Sequence, residues 1–410
     1  MTPTPWPGLR PAWVEVDLDA IVANVRRLRD EVAPARVMAV VKADGYGHGA
    51  AAVARAALDA GAAWLGVALV EEALVLRAAG IAAPVLVLSE PHPGAAGACA
   101  EHDVAVTVCT RAGAAAFAQA GRRARRPVAA HVKVDTGMHR QGCAPAELPG
   151  LLDAVRTAEG LALDGLWTHL AVADDPAQRA TTDAQLAAFR RALEAAGAAG
   201  PRPRWRHAAN SAGATLRGDA RFDLVRLGIE LYGLAPSPDL GAQVRERLRP
   251  ALALRAAVSA LRTVEAGERV SYGHVWAAPR RTRIATLPVG YADGVRRGLS
   301  GRMRVCIGGR SWPQVGRVTM DQIMVDVGDA GQDGVADAGP AVQVGEVATL
   351  LGDPVRGEPG VGEWSAALDT IDYEVTCGLS GRLPRVHYHG DQEGTRWVVA
   401  PERAGTTPPA

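Results

Sequence analysis

The chain has 410 residues, room for two domains of ordinary size. Its apolar content is 48% and its charged content 22%, the balance of a globular protein, and no apolar run approaches the roughly 20 residues that a membrane helix needs. A net charge of +1 argues against a strongly charged partner, and the densest basic run, residues 121–127, lacks interleaved aromatics, so it reads as a helix C-terminus rather than a nucleic-acid patch.

The amino terminus, Met1-Thr2-Pro3-Thr4-Pro5-Trp6-Pro7, has no apolar h-region, so secretion is not indicated. The five cysteines, Cys99, Cys109, Cys143, Cys306 and Cys377, are widely spaced and form no C-x-x-C. Neither a disulfide framework nor a zinc site is indicated, and a cytoplasmic protein without a metal is expected.

A first strand at residues 13–17 is open to assignment in either domain. Val37-Met38-Ala39-Val40-Val41 then runs into Lys42 and a glycine-rich segment, Gly45-Tyr46-Gly47-His48-Gly49. A continuous apolar run suits a strand buried on both faces, and the glycines permit sharp turns and close approach of a ligand. Further strands are expected at residues 64–69, 84–88, 104–109, 128–135, 163–170, 204–211 and 224–232. Helix-like segments lie between most of them, for example residues 70–77, closed by Gly80, and residues 182–198. There Thr182 and Gln185 read as a capping box, and Leu186, Phe189 and Leu193 as an apolar stripe.

Eight alternating units predict an α/β fold, an N-terminal (β/α)8 TIM-type barrel over residues 12–237. An open doubly wound sheet is the alternative, weakened by the lack of a G-x-G-x-x-G opening. Lys42, Lys133, Asp135, Arg140, His169, Asn210, Ser211, Arg226 and Gly228 fall at or just past the ends of these strands, where a barrel gathers them at one mouth. Each alone has a bland structural reading, such as an ion pair of Asp135 with Lys133 or Arg140. Together they favour an anionic ligand.

The stretch from Ala235 to Pro250 reads as a linker. Residues 245–390 then predict a mostly-β domain, with short strands at 283–287, 303–307, 322–327 and 341–347. Residues 1–11 and 401–410 are expected to be flexible termini.

Ala39-Val40-Val41-Lys42-Ala43-Asp44-Gly45-Tyr46-Gly47-His48-Gly49 closely resembles the signature of the alanine racemases, which depend on pyridoxal 5'-phosphate. Lys133-Val134-Asp135-Thr136-Gly137-Met138-His139-Arg140, Trp167-Thr168-His169-Leu170-Ala171, Ala209-Asn210-Ser211-Ala212 and Arg226-Leu227-Gly228-Ile229-Glu230-Leu231-Tyr232-Gly233 resemble further motifs of that family. So do Val270-Ser271-Tyr272-Gly273, Gly290-Tyr291-Ala292-Asp293-Gly294 and Gly316-Arg317-Val318-Thr319-Met320-Asp321-Gln322. The likeness spans nearly the whole chain, and the ordered set is specific where single motifs are not.

The resemblance implies racemisation of L- and D-alanine, with D-alanine feeding peptidoglycan, and a head-to-tail homodimer in which one chain's barrel meets the other's β domain. It implies that Lys42 holds the cofactor and moves a proton on one face of the substrate, with Tyr272 of the partner subunit on the other. A tyrosine, with a free pKa of about 10, needs nearby positive charge for this. His169 and Arg226 are the candidates to relay it. Arg226 is implied at the ring nitrogen, donating a hydrogen bond without giving up its proton. Tyr46, Ser211, Gly228 and Ile229 are implied at the phosphate, and His169 and Asn210 elsewhere around the cofactor. Arg140 is implied at the cofactor's phenolic oxygen and the substrate carboxylate, with Met320 and Asp321 near the substrate. In relatives the lysine matching Lys133 can be carbamylated. Gly381 stands where some relatives have a tyrosine, which puts more weight on Tyr46 and Ser211, and Thr319 replaces a common cysteine. Alternatives are a racemase of broader range, a decarboxylase sharing the two-domain plan, and a non-enzymatic cofactor carrier. The motif around Tyr272 disfavours the decarboxylase, and the second domain disfavours the carrier.

Overall fold

The computed structural model describes residues 9–198, 200–328, 341–390 and 396–398. The chain divides into two compact units, one of residues 21–248 and one joining the residues up to Ala20 with those from Arg249 onward.

The opening strand, β1 (Ala12–Asp17), belongs to the second unit. The first unit carries β2 (Arg36–Val40), β3 (Trp64–Val67), β4 (Val85–Val87), β5 (Ala105–Val108), β6 (Val128–Lys133), β7 (Leu161–Trp167), β8 (Trp205–His207) and β9 (Leu224–Leu227). All neighbours in the order β8-β7-β6-β5-β4-β3-β2-β9 pair in parallel. Between β8 and β9, Asp223 N–H bonds Arg206 O and Arg226 N–H bonds Ala209 O, both at 3.0 Å. The eight strands thus form the expected near-barrel with helices between them. Met38, Trp64, Leu86, Ala105 and Leu224, drawn from five strands, pack together in its core. This is the burial that long apolar strands of a parallel sheet require.

Several local expectations change. The strands end earlier than their apolar runs: β9 stops at Leu227 and the chain enters a 3-10 helix, Ile229–Tyr232. The long helix runs Arg179–Ala198, so Thr182 lies inside it and there is no capping box with Gln185. Gln185 is turned inward instead. Its Oε1 accepts from Ala171 N–H at 2.9 Å and its Nε2 donates to His169 O at 3.1 Å. The expected linker contains a helix, Gly241–Arg247, because Leu240, Val244 and Leu248 recur at helical spacing and are buried. The basic run closes the helix Arg111–Ala124, as expected.

The second unit adds β10 (Leu252–Ala257), β11 (Ala260–Val264), β12 (Arg269–Val270), β13 (Trp276–Ala277), β14 (Thr282–Leu287), β15 (Arg304–Ile307), β16 (Arg310–Val315), β17 (Ile323–Asp326), β18 (Val347–Leu351), β19 (Arg385–His389) and β20 (Arg396–Val398). β1 lies between β10 and β19 in a ten-stranded sheet. The strand expected at residues 341–347 starts only at Val347, since Gln343 and Glu346 form a turn before it. Arg10, expected in a flexible terminus, is held by the buried Asp293 carboxylate at 2.6 Å. Residues 1–8 and 401–410 lie outside the described residues. No described helix is long and apolar enough to cross a membrane.

Candidate active site

Lys42 follows β2 after one residue, Val41, and is half-buried. The backbone then turns left-handed for five consecutive residues, 43–47, with φ between 51° and 82°. Ala43, Asp44 and Tyr46 each carry a cost of about 1–2 kcal/mol in this conformation, and such strain concentrates at functional sites. The turn closes through Gly45 N–H to Val41 O at 2.9 Å and Gly47 N–H to Ala43 O at 3.0 Å. The Asp44 carboxylate accepts from Ala50 N–H at 2.8 Å.

The turn delivers Tyr46 into the interior, with its ring centroid 5.0 Å from that of Tyr232. Tyr232 in turn donates its hydroxyl to Val40 O at 3.0 Å. A Cβ on Gly228 would lie 2.5 Å from Tyr46 Oη, so only glycine leaves this space open. Gly228 N–H donates to Ser211 Oγ at 2.9 Å, leaving the serine proton for another acceptor. Asn210 caps the helix Ser211–Leu216 through Gly213 N–H at 2.9 Å and so fixes Ser211. Tyr46, Ser211 and the backbone N–H of Ile229 thus form a cradle of donors suited to an anion, with the Gly228 N–H, implied at the phosphate by the sequence, engaged by Ser211 instead.

Arg226, on β9, is buried beneath the mouth. Its Nη2 donates to Thr168 O at 2.9 Å and Ala208 O at 2.8 Å, and lies 3.2 Å from His169 Nδ1. Its Nη1 donates to His207 Nδ1 at 2.8 Å. Burial lowers this guanidinium to about 9, which leaves it charged at neutral pH. His169 is held well below the ordinary histidine range, first by desolvation and then by Arg226, Arg140, Lys133 and Lys42. It is therefore neutral and accepts at Nδ1.

The Arg226 bond also fixes the tautomer of His207. With Nδ1 accepting, the proton sits on Nε2, 2.9 Å from His131 Nδ1. A bulge between β6 and β7 turns Asp164 inward, and its carboxylate stands 3.6 Å from His131 Nε2. Gly165 makes room, since a Cβ there would lie 2.3 Å from the His131 ring.

Lys133 ends β6 and is buried, its Nζ 4.4 Å from the centroid of the Trp167 ring. Arg226 packs against the same ring at 4.6 Å. Desolvation first, with Arg226 and Arg140 adding to it, lowers the Lys133 amine to about 8. Arg140 is exposed in the loop after β6. Asp135 makes no ion pair with Lys133 or Arg140; one of its oxygens accepts from the N–H groups of Gly137, Met138 and His139.

In the second unit Tyr272, Met320 and Asp321, all exposed, line one cleft of about 690 Å3 with Tyr291 and Arg317. Arg382 holds the Asp321 carboxylate at 2.7 Å. Thr319 tolerates its place because its hydroxyl donates to Gln322 O at 2.8 Å and accepts from Gln322 N–H at 3.1 Å. A Cβ at Gly381 would meet nothing within 4 Å, so no steric demand requires glycine there.

Two family models account for most of the chain: the alanine racemase N-terminal domain matches residues 16–236 and the alanine racemase C-terminal domain residues 251–387. The chain belongs to the alanine racemase family. The alanine racemase of Symbiobacterium thermophilum is 46% identical over 380 residues, covering 93% of this chain and 98% of that protein. That of Mycobacterium tuberculosis is 46% identical over 391 residues, covering 94% and 98%. The crystal structure of alanine racemase from D-cycloserine producing Streptomyces lavendulae superposes with a TM-score of 0.86 at 41% identity, covering 94% of this chain and 99% of that one.

Of the barrel residues singled out from the sequence, Lys133 ends β6 and Arg226 lies on β9, while Lys42, Tyr46, Arg140, His169, Asn210, Ser211, Gly228 and Ile229 lie in the segments that follow strands β2, β6, β7, β8 and β9. Sequence reasoning missed His207, His131 and Asp164. His207 precedes the Ala209-Asn210 motif by two residues, which was a usable signal. Asp164 depends on the bulge and left none.

Proposed function

We propose that this chain racemises L- and D-alanine with pyridoxal 5'-phosphate, supplying D-alanine for peptidoglycan. The observation that carries this is the placement of Lys42 at the barrel mouth together with the Tyr46–Gly228–Ser211 cradle, whose opening depends on the missing Cβ of Gly228. The residues fit the cofactor: Lys42 would hold its aldehyde carbon, the cradle its phosphate, Arg226 its ring nitrogen and Arg140 its phenolic oxygen. When bound, the cofactor supplies an electron sink for charge at the substrate Cα.

The chain's own residues do the rest. Lys42 Nζ moves the Cα proton on one face. Tyr272 of the partner subunit moves it on the other, so that Lys42 serves D-alanine and the tyrosine serves L-alanine. Arg226 offers a hydrogen bond without yielding its proton, because the guanidinium stays charged. His169 stays neutral and accepts, so it orients Arg226 rather than supplying a proton. Arg140 binds the substrate carboxylate, with Met320 and Asp321 of the partner subunit beside it. A shared site in a homodimer is supported by the exposure of Tyr272, at 74%, and Met320, at 52%, which is high for residues assigned to chemistry. The lowered pKa of Lys133 gives its amine a neutral fraction able to attack carbon dioxide and lose a proton, which supports carbamylation there.

Lys42→Ala tests the assignment. The visible absorbance of the cofactor-loaded protein should vanish in the variant. Retention of that band would remove Lys42 from its role.

A further inference from the structure

We infer that Glu72 is a positioning residue for Lys42. It clamps the peptide unit beside the lysine, so that the lysine amine keeps a single line of approach to the substrate. This rests on the reading that Lys42 moves a proton.

Glu72 stands in the first turn of the helix Val70–Ala78, which follows β3. β3 is the sheet neighbour of β2. One carboxylate oxygen, Oε2, accepts from Ala68 N–H at 2.8 Å and Leu69 N–H at 3.1 Å. These are bonds to the carboxylate's own loop, and they fix its rotamer. The other oxygen, Oε1, crosses to the neighbouring loop and accepts from Ala43 N–H at 2.7 Å. A charged acceptor and a short distance make this a strong bond.

Ala43 N belongs to the same planar peptide unit as the Lys42 carbonyl. Holding that N–H therefore holds the plane next to the Lys42 Cα, and with it the direction of the Cα–Cβ bond. Ala43 is also the first of the five residues with positive φ. Its N–H opens the turn, and such N–H groups have no partner within the turn. Bonds among residues 41–50 also close the turn. Glu72 adds one from the next βα loop. A catalytic group misplaced by about 1 Å can lose about 100-fold in rate, so such a clamp has kinetic leverage.

The substitutions to compare are Glu72→Gln, which keeps the shape but turns an amide NH2 toward one of the N–H groups, and Glu72→Asp, which is too short to reach both loops. Glu71→Gln, an exposed neighbouring carboxylate, is the control. Each is prepared as cofactor-loaded enzyme. Thermal midpoint, visible absorbance, kcat and the α-deuterium isotope effect with each alanine enantiomer are measured.

We expect Glu72→Gln to keep the visible band and to lose about tenfold or more in kcat. Its isotope effect should rise with D-alanine, whose proton Lys42 takes, and not with L-alanine. Glu71→Gln should match the parent. A merely structural role would lower stability or kcat without separating the two enantiomers. The inference is overturned if kcat stays within twofold of the parent, or if the isotope effects of both enantiomers move together. If Glu72→Gln does not fold, the same readings on Glu72→Asp decide. A parent protein without racemisation would instead defeat the reading of Lys42, a result distinct from an active parent with an unaffected variant.

Discussion

Tyr46 Oη lies 2.5 Å from the point where a Cβ on residue 228 would stand. The tyrosine hydroxyl and the glycine Cα thus make one wall of the anion cradle, and the left-handed turn after Lys42 is what brings the tyrosine there. Gly228→Ala should displace the hydroxyl and weaken pyridoxal phosphate binding at least tenfold, equivalent to about 1.4 kcal/mol. Tyr46→Phe keeps the ring packed on Tyr232 and should likewise weaken binding. Titration of the visible band checks both. Unchanged affinity in the two variants would remove the cradle from phosphate binding.

Glu230 makes stability pH-dependent. Burial raises its carboxyl to about 7, and Thr215 Oγ1 donates to it at 2.7 Å. The folded state therefore holds this proton more tightly than the unfolded state. Its contribution is full below the unfolded pKa of about 4.5 and is lost as pH rises through about 7. The shift corresponds to at most about 3 kcal/mol. Glu230→Gln should abolish this fall, so the variant should gain stability over the parent on going from pH 5 to pH 8. Parallel urea-unfolding profiles for the two proteins would contradict it.

Chains from Lys42→Ala and Tyr272→Phe should each be inactive alone and recover activity when unfolded together and refolded as mixed dimers. One of the two sites in such a dimer has both proton-transfer groups intact. No recovery despite demonstrated chain exchange would count against a shared site.

Lys133, with its amine lowered to about 8, should take up carbon dioxide near neutral pH. In 13C-bicarbonate a carbamate signal should appear in the NMR spectrum and be missing from Lys133→Arg. Its absence from the parent would leave Lys133 as a buried cation stacked on Trp167.

The order of strands and the positions of Lys42, Arg226 and Ser211 were legible because long apolar runs of a parallel sheet end in polar residues at one edge. Strand ends were less legible. Beyond Leu227 the apolar residues Ile229 and Leu231 continue the pattern although the backbone has left the sheet. The helix at Gly241–Arg247 was hidden by Pro236, Pro238 and Pro250, although Leu240, Val244 and Leu248 carried its spacing. Gln185 fitted a cap by spacing alone and is used instead to hold the loop around His169. The His207–His131–Asp164 chain needs three strands in register and a bulge, which no local pattern reports. Tyr272, in the turn between β12 and β13, carries no local signal of its own and is singled out only by the family motif.

The most direct test is to incubate the cofactor-loaded protein with L-alanine in D2O and follow the product by chiral chromatography with mass detection. The account predicts approach to equal amounts of the two enantiomers, with solvent deuterium entering at Cα. Recovery of L-alanine alone without deuterium, or release of ethylamine and carbon dioxide, would contradict it.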